Sequence, residues 1–194
     1  MRITQLLLPF VVLAGAAGTA AADDAAGPLQ AAQSRTIGID GGAALPTGSW
    51  GDAVGFGIGA LGRFEMPVAP RLVLTGRAGL IYHLGKDLSG PAGGMASTQV
   101  IEVPLLGGVR YAFSQQPTSA IYGAAELGLV VYHVSTDAGG MSTSGTDTNL
   151  GMTLGAGYRT GKLDVRGGLL FPDLGHAGDA IAVMATVGYD LTAL

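Results

Sequence analysis

His133 and Ser135 stand two residues apart, so in an extended strand they share one face, and Asp137 or Asp147 lies near enough in sequence to orient the imidazole. A hydroxyl, a base to take its proton and an acid to hold the base are the parts of a nucleophilic hydrolase. His83, His133 and His176, among Asp52, Asp87, Asp137, Asp147, Asp173 and Asp179, offer donors of the kind that hold divalent metals. Neither set has the spacing its chemistry demands. No acid sits at a diagnostic offset from His133, and the three histidines come from distant segments with no His-x-His pair. We therefore expect no catalytic residue, no metal and no cofactor, with His133 marking a polar rim and the aspartates forming a hydrated acidic one. The absence of cysteine removes thiolate chemistry and disulfides together.

The elements that must position these groups are set by composition. Charged residues make up 12% of the 194 residues, against roughly 25% in an average soluble domain. Mean hydropathy is +0.42, yet no internal apolar run approaches the roughly 20 residues of a spanning helix. A membrane protein built of strands reconciles the two. The net charge of −4, with no cluster of lysine or arginine, gives nucleic-acid binding no electrostatic basis. Residues 1–22 read as a cleaved signal peptide: Arg2, an apolar stretch from Leu6 to Ala17, then the small residues Ala20, Ala21 and Ala22 before Asp23. Residues 23–34 have no periodicity and are expected to be mobile. Residues 35–194 are expected to form one domain.

From Arg35 onward the chain divides into runs of alternating hydrophobicity separated by turn residues: 35–44, 54–66, 71–83, 98–113, 118–133, 147–160, 162–171 and 179–191. Eight such runs predict an all-β fold, an eight-stranded antiparallel up-and-down transmembrane β-barrel. Sorting each run by parity gives one face of large apolar residues without charge in the strand interiors. The other face carries Asp40, Arg63, Glu65, Arg71, Arg77, Glu102, Arg110, Glu126, Arg159, Asp164, Arg166 and Asp190, set among Gly, Ala and Thr. Small residues around a few long ones suit a narrow lumen that side chains just fill, so the charged face should point inward and the bulky face toward lipid. Six arginines against six carboxylates form a balanced ionic core, because an unpaired ion there costs several kcal/mol. A Gly161-Lys162 turn predicts Arg159 opposite Asp164, and a turn at Pro67 to Ala69 predicts Glu65 opposite Arg71.

Connection lengths set the orientation. Turns at 67–70, 114–117 and 161–162 are short, whereas 45–53, 84–97, 134–146 and 172–178 read as longer outer loops, of which 84–97 and 134–146 are rich in Gly, Ser and Thr, flexible and without apolar anchors. This predicts the cell outer membrane with both termini periplasmic. Aromatics gather accordingly: Phe64, Tyr111, Phe113, Tyr158 and Tyr189 at periplasmic strand ends, Phe56, Tyr82 and Phe171 at outer ends, all on the outward face as two girdles.

The strand count, the alternation and the closing segment Ala185-Thr186-Val187-Gly188-Tyr189-Asp190-Leu191 resemble the small outer-membrane β-barrel superfamily, the OmpA/OmpX/OmpW-like barrels. The resemblance runs from about Arg35 to the end and implies partnership with outer-membrane lipid and, during insertion, with the barrel assembly machinery. The chain ends on Leu194, where such barrels usually end on an aromatic. The spacing of His133 and Ser135 is similar to that of outer-membrane lipid A deacylases over those residues alone, with Thr136 where those enzymes carry Asn. The expected role is structural or mediated by the outer loops, in a monomer with a plugged lumen. A narrow conduit or binder for small apolar molecules is the alternative, and a lipid A-modifying hydrolase the third reading.

Overall fold

In a computed structural model, which describes residues 35–89, 95–116, 118–138 and 141–193, eight antiparallel strands form a single closed barrel in up-and-down order. The expected signal peptide and mobile segment, 1–22 and 23–34, lie outside the described residues. In chain order the elements are β1 (Thr36–Thr47), a short helix α1 (Gly48–Ala53), β2 (Gly57–Ala69), β3 (Leu72–Ser89), β4 (Met95–Gln116), β5 (Ser119–Ala138), β6 (Met141–Thr160), β7 (Leu163–Phe171) and β8 (Ile181–Ala193). A single 3-10 turn, Leu174–His176, lies between β7 and β8. Each strand pairs with the next, and β8 returns to β1 from Thr36↔Ala193 to Thr47↔Ile181, so the barrel wall has no open edge.

Alternation drives this arrangement. Along β8, Ala182, Met184 and Thr186 are buried while Val183, Val187 and Tyr189 are exposed, and the same two-residue period runs round the wall. The exposed apolar belt includes Ile39, Ile58, Leu80, Leu105, Leu127, Leu154, Val165 and Val187. Such a continuous exterior is far larger than a monomeric soluble protein leaves in water.

Three tight connections, at 70–71, 117–118 and 161–162, share one end of the barrel with both strand termini. At the last of them Gly161 adopts φ +55°, a left-handed conformation that glycine takes without steric cost, and the turn sets Thr160 opposite Leu163 and Arg159 opposite Asp164. The first connection differs from expectation. Pro67 cannot donate to a ladder, and the register slips between Pro67 and Ala69, so the turn moves to Pro70-Arg71 and Glu65 faces Thr75 instead of Arg71. Arg71 is consequently exposed at the turn and does not join the lumen charges.

At the far end the expected loops are mostly strand. β3 and β4 stay paired to Ser89↔Met95, with one register shift between His83 and Lys86, and β5 and β6 continue in register to Ala138↔Met141. By contrast β2 pairs with β3 only as far as Gly57↔His83, and β7 pairs with β6 only from Met152↔Phe171. A four-stranded sheet, β3 to β6, therefore projects past the rim on one side of the barrel. The expectation of loops over 84–97 and 134–146 is corrected for the described residues 84–89, 95–97, 134–138 and 141–146, which are strand. Ser, Thr and Gly carry no apolar period when both faces meet water, and backbone pairing alone makes the strand.

Candidate functional site

Three layers fill the lumen. Nearest the tight turns lies the ionic layer, built from all eight strands. Arg63 reaches Asp40 at 3.0 Å, Asp190 at 2.6 Å, and Glu65 and Asp164 at 3.5 Å each. Arg77, from β3, reaches Asp40 at 3.0 Å and Glu126 at 3.5 Å. Arg110 bridges Glu65 and Asp164, both at 2.9 Å. Arg159 meets Glu65 at 2.8 Å, its cross-strand neighbour Asp164 at 3.1 Å and Asp190 at 3.6 Å. Arg166 donates from both terminal nitrogens to Glu126, at 2.7 and 3.0 Å. Five arginines thus face five carboxylates in one connected network. Of the twelve charges assigned to the lumen, Arg71 stays outside and Glu102 lies in a different layer.

Parity of the sequence also reaches two neutral members that the count of charges missed. Tyr122 donates to Asp164 at 2.5 Å beneath the Arg110 guanidinium, which stacks 3.9 Å from its ring centre, and Thr153 donates to Glu126 at 2.6 Å. Tyr122 shares the parity of Glu126 on β5, and Thr153 that of Arg159 on β6. Small residues make the room: a Cβ on Gly188 would overlap the Asp40 carboxylate.

Above the ions the lumen is apolar. Ala44, Ile81, Leu170, Ala182 and Met184 form one buried cluster, and Val54, Val100, Leu106, Val130 and Tyr132 another. Trp50 of α1 packs against both and closes the far mouth from above. Val54, assigned by parity to the outward face, belongs instead to the inward cluster, because the chain at 54–56 has not yet entered β2.

The third layer lies under α1. His83 and Glu102 are fully buried, with His83 Nε2 3.0 Å from Glu102 Oε2 and His83 Nδ1 2.9 Å from the Gly55 carbonyl. The Trp50 ring lies 5.4 Å from the imidazole. Lys86 donates to the Gly51 carbonyl at 2.7 Å and ties α1 to β3.

The other histidines stand apart. His133 is exposed on β5 opposite Thr146, and its Nδ1 lies 3.1 Å from the Thr146 hydroxyl, so no acid orients it. Ser135 faces Ser144 across the hairpin, Asp137 faces Ser142, and Asp147 pairs with Tyr132. His176 donates to Asp173 at 2.7 Å in the turn before β8. That hydrogen bond holds the imidazole above its ordinary value and is the main reason the Asp173 carboxyl lies below its own. The three histidines thus occupy three separate places, and among the described residues no group of three His, Cys, Asp or Glu converges as metal ligands.

Seven of the eight girdle aromatics lie on paired strands, and all eight point outward. Phe56, Phe64, Tyr111, Phe113, Tyr158 and Tyr189 are exposed, while Tyr82 and Phe171 are half-buried. Tyr111 and Phe113 meet edge to face at 5.7 Å, and the Lys162 ammonium lies 5.8 Å from the Tyr189 ring centre.

Beyond the rim, the projecting sheet has two unlike edges. On β3, Leu84 donates no free edge, because its N–H bonds to the Phe56 carbonyl at 2.8 Å, and Lys86 beside it holds α1. On β6, Met141–Thr148 are all exposed, paired with β5 on one side and lacking a strand partner on the other among the described residues. The β5–β6 ladder has no bulge, and Asp147 is the one charge in this stretch.

No family model matches the chain, and neither does any curated protein. Solved structures do. Ail, the attachment invasion locus protein of Yersinia pestis, is similar at 12% identity with a TM-score of 0.52, covering 80% of this chain and 95% of that one. The N-terminal β-barrel domain of Pseudomonas aeruginosa OprF is similar at 11% identity with a TM-score of 0.50, covering 80% of this chain and 97% of that one. At such identities the likeness is one of fold: this chain has the eight-stranded fold of the small outer-membrane β-barrels.

Proposed function

We propose that the chain is an outer-membrane β-barrel with both termini in the periplasm, a lumen closed by its paired charges, and a projecting sheet that takes an extended strand of a partner protein on the β6 edge. The observation that carries this reading is the bulge-free stretch Met141–Thr148, paired with β5 on one side and without a strand partner on the other among the described residues. About eight residues of strand span roughly 26 Å, and every second one turns its N–H and C=O toward the open side. Natural sheets guard such edges with lysine, proline or bulges. Here the β3 edge is occupied by Phe56 and α1, whereas the β6 edge carries none of these guards. An extended segment added there would gain main-chain hydrogen bonds for affinity, with the exposed hydroxyls of Thr143 and Thr146 setting specificity.

The membrane assignment rests on the exposed apolar belt and on the aromatics at both ends of it. The closed lumen rests on the ionic layer, on the apolar layer above it and on Trp50 packed against that layer. No catalytic role is assigned to His133 and Ser135, because the imidazole is engaged by Thr146.

Cells displaying the chain should adhere to a protein-coated surface or to one another. Lysines placed on the edge by Thr143→Lys with Thr146→Lys should abolish that adhesion while the barrel keeps its heat-dependent gel mobility. Equal adhesion by both versions would refute the edge reading, and recovery of the chain in the soluble fraction would refute the membrane assignment.

A further inference from the structure

His83 joins three things that otherwise touch little: the barrel wall through Glu102 on β4, the stem of the α1 segment through the Gly55 carbonyl, and the indole of Trp50. Both of its hydrogen-bond partners are acceptors. A backbone carbonyl can only accept, and an ionised carboxylate can only accept, so satisfying both ring nitrogens requires a proton on each. The same count holds if the proton sits on Glu102, since the pair then keeps one shared proton and no net charge. The site is dry, with both side chains fully buried, so losing that proton has no compensation from water. Removal from Nε2 sets a lone pair against the Glu102 carboxylate and leaves one buried charge unpaired. Removal from Nδ1 breaks the tie to Gly55.

We propose that His83 is a proton-held pin that fastens α1 over the outer mouth of the lumen, and that loss of the shared proton releases the α1 segment and exposes Trp50. The remaining hydrogen bonds of the segment are few and peripheral: Lys86 to the Gly51 carbonyl, the Trp50 N–H and the Ser49 hydroxyl to the Asp179 carbonyl at 3.3 Å each, and the Thr47 hydroxyl to the Ile181 carbonyl at 3.0 Å; beyond them the segment is held by the packing of Trp50 and Val54 on the apolar layer. Release opens a blind pit. The apolar layer and the ionic layer beneath stay in place, so the device governs access to the upper lumen and does not make a pore.

The other titratable groups around the pin come from each neighbouring element. Asp52 stands on α1, Lys86 on β3, Tyr132 on β5 directly opposite Glu102, Asp147 on β6 opposite Tyr132, and Asp173 with His176 in the turn before β8. His176, hydrogen-bonded to Asp173 at 2.7 Å, is the other paired imidazole near the pin, and His176→Ala should leave the pH titration of Trp50 fluorescence in place.

The chain has a single tryptophan, Trp50, so intrinsic fluorescence reports this lid alone. In the folded full chain in detergent micelles, raising the pH from about 5 to about 9 should shift the emission to longer wavelength and increase acrylamide quenching about twofold as the local opening becomes populated. Glu102→Gln should abolish the titration in the closed state, because the amide can donate to a neutral imidazole. Lys86→Met, at the surface, should move the opening to lower pH, and Tyr132→Phe should leave the titration in place. A wild-type signal independent of pH would overturn the proposal. So would an unaltered titration in Glu102→Gln, or its disappearance in Tyr132→Phe. Retained heat-dependent gel mobility establishes that each variant is folded.

Discussion

The ionic layer and the projecting β5–β6 hairpin are built on the same strands, since β5 carries Glu126 in the first and Ser135 in the second, and β6 carries Thr153 and Ser144 in turn. In the first, Glu126 meets Arg166, Arg77 and Thr153, and its side chain is fully buried. In the second, every residue from Met141 to Thr148 is exposed, and backbone pairing to β5 organises the strand, with the Thr146 hydroxyl against His133 as its one side-chain link to β5 among the described residues. One strand thus passes from a region whose inward side chains sit in a buried network to one whose side chains meet water on both faces. Stability and recognition are separated along the strand axis: the lower part fixes the fold, and the upper part is free to vary without cost to it.

Removing one partner from the lower region should break the comparison most sharply. Glu126→Ala leaves Arg166 and Arg77 buried without the carboxylate they share, and should lower stability by about 3–5 kcal/mol, read as a drop in the urea midpoint of the folded barrel in lipid or detergent. Arg71→Ala is the control of similar type. Exposed at its turn, Arg71 should be worth no more than about 0.5 kcal/mol. A similar loss from both would mean that burial of the network contributes nothing. Next in size is Gly188→Ala, whose methyl must displace the Asp40 carboxylate from between Arg63 and Arg77, at about 1–3 kcal/mol.

The upper region should tolerate far larger changes. Replacing residues 133–146 by Asn-Gly leaves Tyr132 paired with Asp147 across a hairpin turn of the favoured type. Because the deleted residues bury little, the urea midpoint should move by less than the equivalent of about 1 kcal/mol, while any adhesion that depends on the β6 edge is lost. A collapse of the barrel would show that the hairpin supports the fold and would remove the distinction between the regions.

The two regions also differ in how far the amino-acid sequence discloses them. Period-two alternation over Leu150, Met152 and Leu154, against Gly151, Thr153 and Gly155, is visible because lipid-facing and lumen-facing positions demand opposite residue types. The opposition of Arg159 and Asp164 is equally visible, because a turn with glycine at Gly161 dictates a two-residue register. Beyond the rim both faces of the strand meet water, alternation carries no penalty or reward, and Ser142 to Thr148 read as a loop. Arg71 departs from expectation for a different reason: it keeps the parity of Thr75 and Arg77, but the β2–β3 ladder runs on through a bulge at Pro67–Ala69, so Arg71 lies in the turn itself beyond the lumen, and no periodicity announces a bulge. His83 shares the parity of Arg77, which places it inward, but its contact with Glu102 depends on the β3–β4 register and its contact with Trp50 on the path of α1, neither of which strand patterning describes.

The smallest expected effect belongs to the turn that flanks β6 from the β7–β8 side, where Asp173 and His176 form an exposed pair at 2.7 Å. His176 is raised chiefly by its hydrogen bond to Asp173, so its contribution is complete below the ordinary imidazole value of 6.5 and is lost as the pH rises through its elevated value. Asp173 is lowered chiefly by His176, so its contribution is complete above the ordinary carboxyl value of 3.8 and is lost as the pH falls through its depressed value. The turn should therefore be best ordered between those two limits. Amide exchange at Gly175, whose N–H donates to Asp173 at 2.8 Å, should be slowest in that window and faster on either side. Global unfolding should show no matching dependence, since the pair is solvent-screened and lies outside the lumen network. His176→Ala should remove the upper limit of the window and leave the lower one nearer 3.8, the ordinary aspartate value. If instead the barrel's urea midpoint followed the same pH profile as the Gly175 amide, the turn would be part of the stabilising region, and the division between a paired lumen and an independent rim would fail at this point.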